Sequence, residues 1–219
     1  MQQRAQIRRL TRRSLLLVLI VIQDLVPFLG NLPVGPLSIT TMPITVAVIA
    51  ALFGPLEGTL AGGVWGGLTF IRAFVYPSSA LAPLLFTNPL ISVVPRLLVG
   101  LVAGVVFALI RRWGKIGLAA ALSGLVAALT NTVLVLGGIY LFANTPQVAA
   151  GYHVDQAHLG VALAAIVGTN GVAEALLTAL SYLYWWCHCG ALWGAISRLR
   201  PVKNSGWTSI QPLFLFTVK

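Results

Sequence analysis

Four ionisable side chains, Asp24, Arg72, Arg96 and Glu174, stand inside stretches of sequence that are otherwise almost wholly apolar. A charged group at the bilayer centre costs about 2.5–3.5 kcal/mol on insertion scales, so each calls for a partner or a wet cavity. A guanidinium holds a carboxylate through two parallel hydrogen bonds, while amide and hydroxyl groups suit the polar remainder of a small molecule. Helical spacing gathers such groups into stripes, with Trp65, Thr69 and Arg72 on one and Asn88, Ser92 and Arg96 on another. Asn131, flanked by Thr130 and Thr132, and Asn170, with Glu174 one turn further on, complete the candidate set. Two chemistries compete for these residues. Either they line a hollow that holds a small anionic ligand, or Arg72 and Arg96 merely pair with Asp24 and Glu174 as structural ion pairs. Arg72 has the further option of snorkelling to the membrane interface.

The elements that must position these groups are helices in lipid. Hydrophobic residues make up 58% of the 219 and charged residues 8%, far below the ~25% charged that a water-exposed surface carries. Several apolar runs reach the ~17–25 residues that cross a hydrocarbon core of ~30 Å. The punctuation predicts six spans, about Ser14 to Phe28, Thr41 to Phe53, Leu56 to Phe74, Pro89 to Ile110, Ile116 to Leu141, and His158 to the aromatic band Tyr182, Tyr184, Trp185 and Trp186. Gly30-Asn31-Leu32-Pro33 and Gly35-Pro36 break the chain after the first span, and Gly54-Pro55 makes a tight turn between the second and third. The expected fold is thus an all-α integral membrane bundle, divided into a basic N-terminal segment (1–13), a six-helix domain (14–184) and a C-terminal tail (185–219).

The formal charge of +10 would raise nucleic-acid binding, but the placement of the bases excludes it. Eleven of the 14 Lys and Arg fall in three clusters: Arg4, Arg8, Arg9, Arg12 and Arg13; Arg111, Arg112 and Lys115; and Arg198, Arg200 and Lys203. Each abuts an apolar segment, as cytoplasmic flanks do. Six crossings put all three clusters and both termini on the cytoplasmic side of the cell membrane. The loops 76–86 and 144–155 carry no Lys or Arg and fall outside. The candidate polar groups then share the outer half of the membrane, whereas the inner halves of the fourth and fifth helices are nearly pure hydrocarbon. A pocket open to the outside and closed below is the expectation.

Other chemistries find no support in the motifs. Gly114-Lys115 is followed by Ile116, so the phosphate-cradling G-x-x-x-x-G-K-[ST] pattern is absent and any ATP-driven work falls to partners. Ser123-Gly124 lacks the surroundings of an intramembrane serine nucleophile, since His153 and His158 stand in or beside an outer loop. Cys187-His188-Cys189 faces a reducing compartment and has no further ligands for a metal, so neither a metal nor another cofactor is expected. Small residues at close-packing spacing, Gly58, Gly62, Gly63, Gly66 and Gly67 in the third helix and Ala119, Ser123 and Ala127 in the fifth, serve either internal packing or docking of another subunit.

Several segments, taken in order, resemble the substrate-binding S component of energy-coupling factor (ECF) vitamin transporters, in particular the pantothenate-type members. They are Pro27-Phe28-Leu29-Gly30 with Val34-Gly35-Pro36-Leu37, Met42-Pro43-Ile44 through Phe53-Gly54-Pro55, Val94-Pro95-Arg96-Leu97-Leu98-Val99-Gly100, Leu129-Thr130-Asn131-Thr132-Val133-Leu134 and Asn170-Gly171-Val172-Ala173-Glu174-Ala175. The resemblance implies a six-helix vitamin-binding subunit. It would dock on a transmembrane coupling subunit with two ATPases and topple in the membrane to release its cargo. Arg96, Asn131 and Asn170 stand in the resembling segments as site residues, with Glu174 as a structural partner; Arg72 and Trp65 rest on depth alone. Another vitamin (folate, hydroxymethylpyrimidine, pyridoxine) and a ligand-free membrane scaffold remain the alternatives.

Overall fold

The computed structural model describes residues 2–34, 37–77, 79–114, 116–181 and 184. The Cys187-His188-Cys189 triplet, the aromatic residues Tyr182, Trp185 and Trp186, the third basic cluster and the tail lie outside the described residues, as do Lys115 and the side chain of Asn170.

Helix α1 spans Gln2–Leu25, so the basic segment expected to precede the first span forms its opening turns. Arginine is a good helix former and no Gly or Pro intervenes before Pro27, so nothing stops the helix from starting early. A single turn, α2 (Pro27–Gly30), follows. The chain then forms an antiparallel hairpin of β1 (Asn31–Val34) and β2 (Leu37–Thr40), with Asn31 opposite Thr40 and Val34 opposite Leu37. In the sequence these residues read only as a break, and the rest of the described chain keeps to the expected helical architecture. The remaining named elements are helical: α3 (Met42–Phe53), α4 (Pro55–Val75), α5 (Ala82–Phe86), α6 (Pro89–Ser92), α7 (Val94–Arg111), α8 (Ile116–Phe142), α9 (Pro146–Gly151) and α10 (Leu159–Ile166). Two segments expected to be loops therefore contain the short helices α5 and α9.

Proline sets many of these beginnings. It occupies the first or second position of α3, α4, α5, α6, α7 and α9, where its missing N–H is not needed and its fixed φ suits a helix. Gly54, at φ 105°, makes the reversal between α3 and α4. This is a left-handed conformation that a side chain would strain. The last helical stretch, Gln156–Ser181, opens with a 3-10 turn and widens into a π turn at Val167–Gly171.

Three helical stretches among the described residues are long and apolar enough to cross a membrane, namely Pro89–Arg111, Ile116–Phe142 and Gln156–Ser181; Ser14–Leu25 and Met42–Phe53 are shorter apolar helices. Two cores hold them. The larger joins Ile20, Met42, Val46, Trp65, Val99, Phe107 and Ala127 from α1, α3, α4, α7 and α8. The smaller lies at the end where α5 and α9 meet, and joins Leu85, Ile91, Ile139, Val148 and Leu159.

Helices α4 and α7 touch backbone to backbone. A Cβ at Gly62 would overlap the carbonyl of Arg96, one at Gly66 would lie 2.8 Å from Val93 Cα, and one at Gly104 would lie 2.6 Å from Pro55 Cα. On α8, Ala119 and Ala127 are fully buried and Ser123 donates to the Ala103 carbonyl at 2.8 Å. These small residues pack inside the bundle, apart from Gly67, which has nothing within 4 Å of its would-be Cβ.

Candidate ligand-binding site

Arg96 stands in the first turn of α7 and is 5% exposed. Its placement follows from its neighbour. Pro95 has no N–H, so the carbonyl of Ile91, four residues earlier, loses the donor a helix would supply. The Arg96 guanidinium turns back and fills that gap, donating from Nη1 to the Ile91 carbonyl at 2.5 Å. Its Cζ lies 5.2 Å from the ring centroid of Trp65 on α4 and 5.1 Å from that of Phe86 at the end of α5. Nε is buried and has no hydrogen-bond partner.

Antiparallel packing of α7 and α8 brings Asn131 to the same level. Two contacts fix the register: Ser123 on Ala103, and Gly138, whose would-be Cβ lies 3.3 Å from Ile91 Cγ1. Asn131 is eight residues from Ser123 and Arg96 is seven from Ala103, which at ~1.5 Å per residue is nearly the same rise. Asn131 is 7% exposed, and its Oδ1 is buried without a partner. Buried polar atoms are nearly always hydrogen-bonded, so two orphans at one level need an explanation.

The last helical stretch reaches the same layer. A Cβ at Gly171 would lie 3.0 Å from Thr132 Cγ2, and Thr132 donates to Glu174 Oε2 at 3.1 Å. Asn170, adjacent to Gly171, is therefore carried to this layer within the π turn, a distortion that recurs at functional sites. Glu174 Oε1 accepts the backbone N–H of Thr40 at 2.8 Å, which ties the end of the β-hairpin to α8 and to the last helix. Gln23 on α1 holds the same, open end of the hairpin, one residue further along. Its Nε2 donates to Thr41 Oγ1 at 2.9 Å, and its Oε1 accepts from Thr45 Oγ1 at 2.6 Å.

The other sequence-predicted residues have their polar groups engaged close by. Arg72 pairs with Asp24, the structural ion pair that competed with a binding role (Nη1 to Oδ1 3.1 Å). Thr69 Oγ1 donates to the Trp65 carbonyl at 3.0 Å and Ser92 Oγ to the Asn88 carbonyl at 3.0 Å. Asn88 Oδ1 caps α6 by accepting from Leu90 N at 3.0 Å. Trp65 is 4% exposed and presents its ring to Arg96. Phe86 went unsingled in the sequence because it closes a Pro- and Ser-rich stretch that reads as loop. An aromatic residue just ahead of a polar cap was the only signal.

A bundle of apolar helices enclosing a dry guanidinium and an orphaned amide belongs with membrane proteins that bind small polar solutes, and the sequence places it among them. The chain belongs to the ECF transporter, substrate-specific component family, whose model matches residues 8–184. It is 37% identical over 127 residues to the protein named pantothenate transporter PanT of Leuconostoc mesenteroides, covering 53% of this chain and 60% of that protein. It is also 27% identical over 175 residues to the pantothenic acid transporter PanT of Lactococcus lactis, covering 74% and 83% respectively. The first match thus spans less than two thirds of the relative's length. The family expected from the Val94–Gly100, Leu129–Leu134 and Asn170–Ala175 segments is the family found.

Proposed function

We propose that this chain captures pantothenate from outside the cell as the substrate-binding subunit of an ECF transporter. Arg96 takes the carboxylate, Asn131 and Asn170 meet the amide and hydroxyl groups, and Trp65 walls the site. The observation that carries this reading is the coincidence, at one level of the bundle, of a buried guanidinium and a buried amide that each keep an atom without a partner. Leaving such an atom unsatisfied costs about 1–3 kcal/mol, which a ligand bearing complementary groups recovers on binding. Pantothenate carries a carboxylate, an amide and two hydroxyls, and both relatives are named for it.

Six crossings with both termini cytoplasmic account for the basic clusters and put the α5/α9 end outside. The chain then needs a transmembrane coupling subunit and two ATPases, because its sequence carries no phosphate-binding loop. Thermal denaturation of the purified protein with a panel of vitamins tests the reading. Pantothenate at 100 times its Kd should stabilise the fold by about 2.7 kcal/mol. Stabilisation by folate, hydroxymethylpyrimidine or pyridoxine instead would reassign the ligand, and silence across the panel would leave a scaffold.

A further inference from the structure

Phe86 joins two parts of the molecule. It packs against the buried cluster at the α5/α9 end, of which Leu85, Val148 and Leu159 are members, and it also presents its ring to the Arg96 guanidinium at 5.1 Å. Trp65 presents a second ring from a different helix at 5.2 Å. Among the described residues Arg72 forms an ion pair with Asp24, and Glu174 is engaged by Thr40 and Thr132. Arg96 is thus a buried cation whose contacts among the described residues include one neutral carbonyl and two aromatic faces, with the Asp24 carboxylate acting on it only as a neighbouring charge.

Aromatic faces stabilise a guanidinium through the ring quadrupole, and they do so without supplying a negative charge. They fix its position and keep water off it without placing a carboxylate in hydrogen-bond contact with it. An arriving carboxylate then meets a cation that is already dehydrated and oriented, in surroundings where the ion pair is stronger than in water. A neutral group of the same size gains nothing from either effect.

We propose that Phe86 is a specificity-determining residue: by holding the Arg96 guanidinium dry and in one orientation, it makes the site prefer a carboxylate over a neutral group of equal size. The inference rests on the reading of Arg96 as the anion site. The test compares pantothenate with pantothenol, in which the carboxylate is replaced by an alcohol, by titration calorimetry on the purified full chain. Wild type should bind pantothenate more tightly. In Phe86→Leu the preference should fall about tenfold, between the scales of an exposed and a desolvated cation–π contact, with pantothenol affinity within about twofold of wild type. Phe86→Tyr, which keeps the ring, should restore the preference. An unchanged ratio in Phe86→Leu would overturn the proposal and leave the pantothenate reading standing, and so would equal loss of both ligands, which marks Phe86 as wall alone. Wild-type protein that binds neither ligand would overturn the pantothenate reading and this inference with it. Phe86→Met serves the same comparison where the leucine variant does not fold.

Discussion

Arg72 holds Asp24 twice, from one nitrogen: Nη1 lies 3.1 Å from the carboxylate Oδ1 and donates to the Asp24 backbone carbonyl at 2.8 Å. The pair fastens the end of α1 to the end of α4. Its halves are unequally placed, since the Arg72 side chain is 25% exposed and that of Asp24 is 6%. Removing the arginine strands a buried carboxylate, whereas removing the acid leaves a long side chain that can reach toward polar surroundings. Arg72→Ala should therefore destabilise by about 3 kcal/mol, and Asp24→Ala by about 1 kcal/mol. Denaturation of the two purified variants measures this, and a larger loss for Asp24→Ala would contradict the asymmetry.

Arg96 forms no salt bridge among the described residues; it donates to the Ile91 carbonyl and lies against the Trp65 and Phe86 rings. Arg96→Ala should remain folded, at a cost of about 1–3 kcal/mol for the Ile91 carbonyl left without its donor, and lose pantothenate binding by at least about 100-fold, as two charge-assisted hydrogen bonds at ~1.5–3 kcal/mol each imply. Arg96→Lys should recover little, because an ammonium cannot form the two-pronged contact. Calorimetric titration decides, and unchanged affinity in the alanine variant would confine Arg96 to a structural role.

Two glycines of α4 should respond oppositely to the same substitution. Gly62→Ala drives a methyl into the Arg96 carbonyl, so helices α4 and α7 must separate. A cost of about 1–3 kcal/mol follows, as for overpacked cores. Ligand affinity should fall as well, because the displaced backbone is that of Arg96. Gly67→Ala meets nothing within 4 Å and should instead stabilise by up to ~1 kcal/mol through helix propensity. Melting temperatures of the pair check the contrast.

Glu174 fastens the hairpin through acceptor oxygens. Glu174→Gln keeps an acceptor for the Thr40 N–H and should resemble wild type. Glu174→Ala leaves that N–H without its partner and should raise the hydrogen-exchange rate of the Thr40 amide by about tenfold or more, matching the ~1–1.5 kcal/mol of one lost bond. Equal protection in both variants would show that this end of the hairpin is held by Gln23 through Thr41 instead.

Much of the bundle was readable from residue order because lipid makes helix boundaries coincide with hydropathy and punctuation. The expected Ile116 to Leu141 is the observed Ile116–Phe142, and Leu56 to Phe74 is Pro55–Val75. Arg96 and Asn131 were readable as candidates because polar groups in apolar helices are conspicuous. The hairpin was not, because Pro33 argues against a strand and the pairing depends on anchors at Gln23 and Glu174, the latter far off in the chain. Which acid takes which arginine was equally hidden. Asp24 and Arg72 are 48 residues apart, and only the crossing of α1 with α4 makes them neighbours. Phe86 was missed because an aromatic side chain at the end of a loop has no periodicity to betray the face it serves.

The seam between α4 and α7 has a mechanical consequence. Where Gly62, Gly66, Gly100 and Gly104 meet opposing backbone, no rotamers exist that could be exchanged for another fit. Such a joint has one setting, and Trp65 and Arg96 sit beside it on opposite leaves. These two helices therefore travel as a single plate, and any motion that admits or ejects cargo must be borne by the parts around it or by the whole body moving at once.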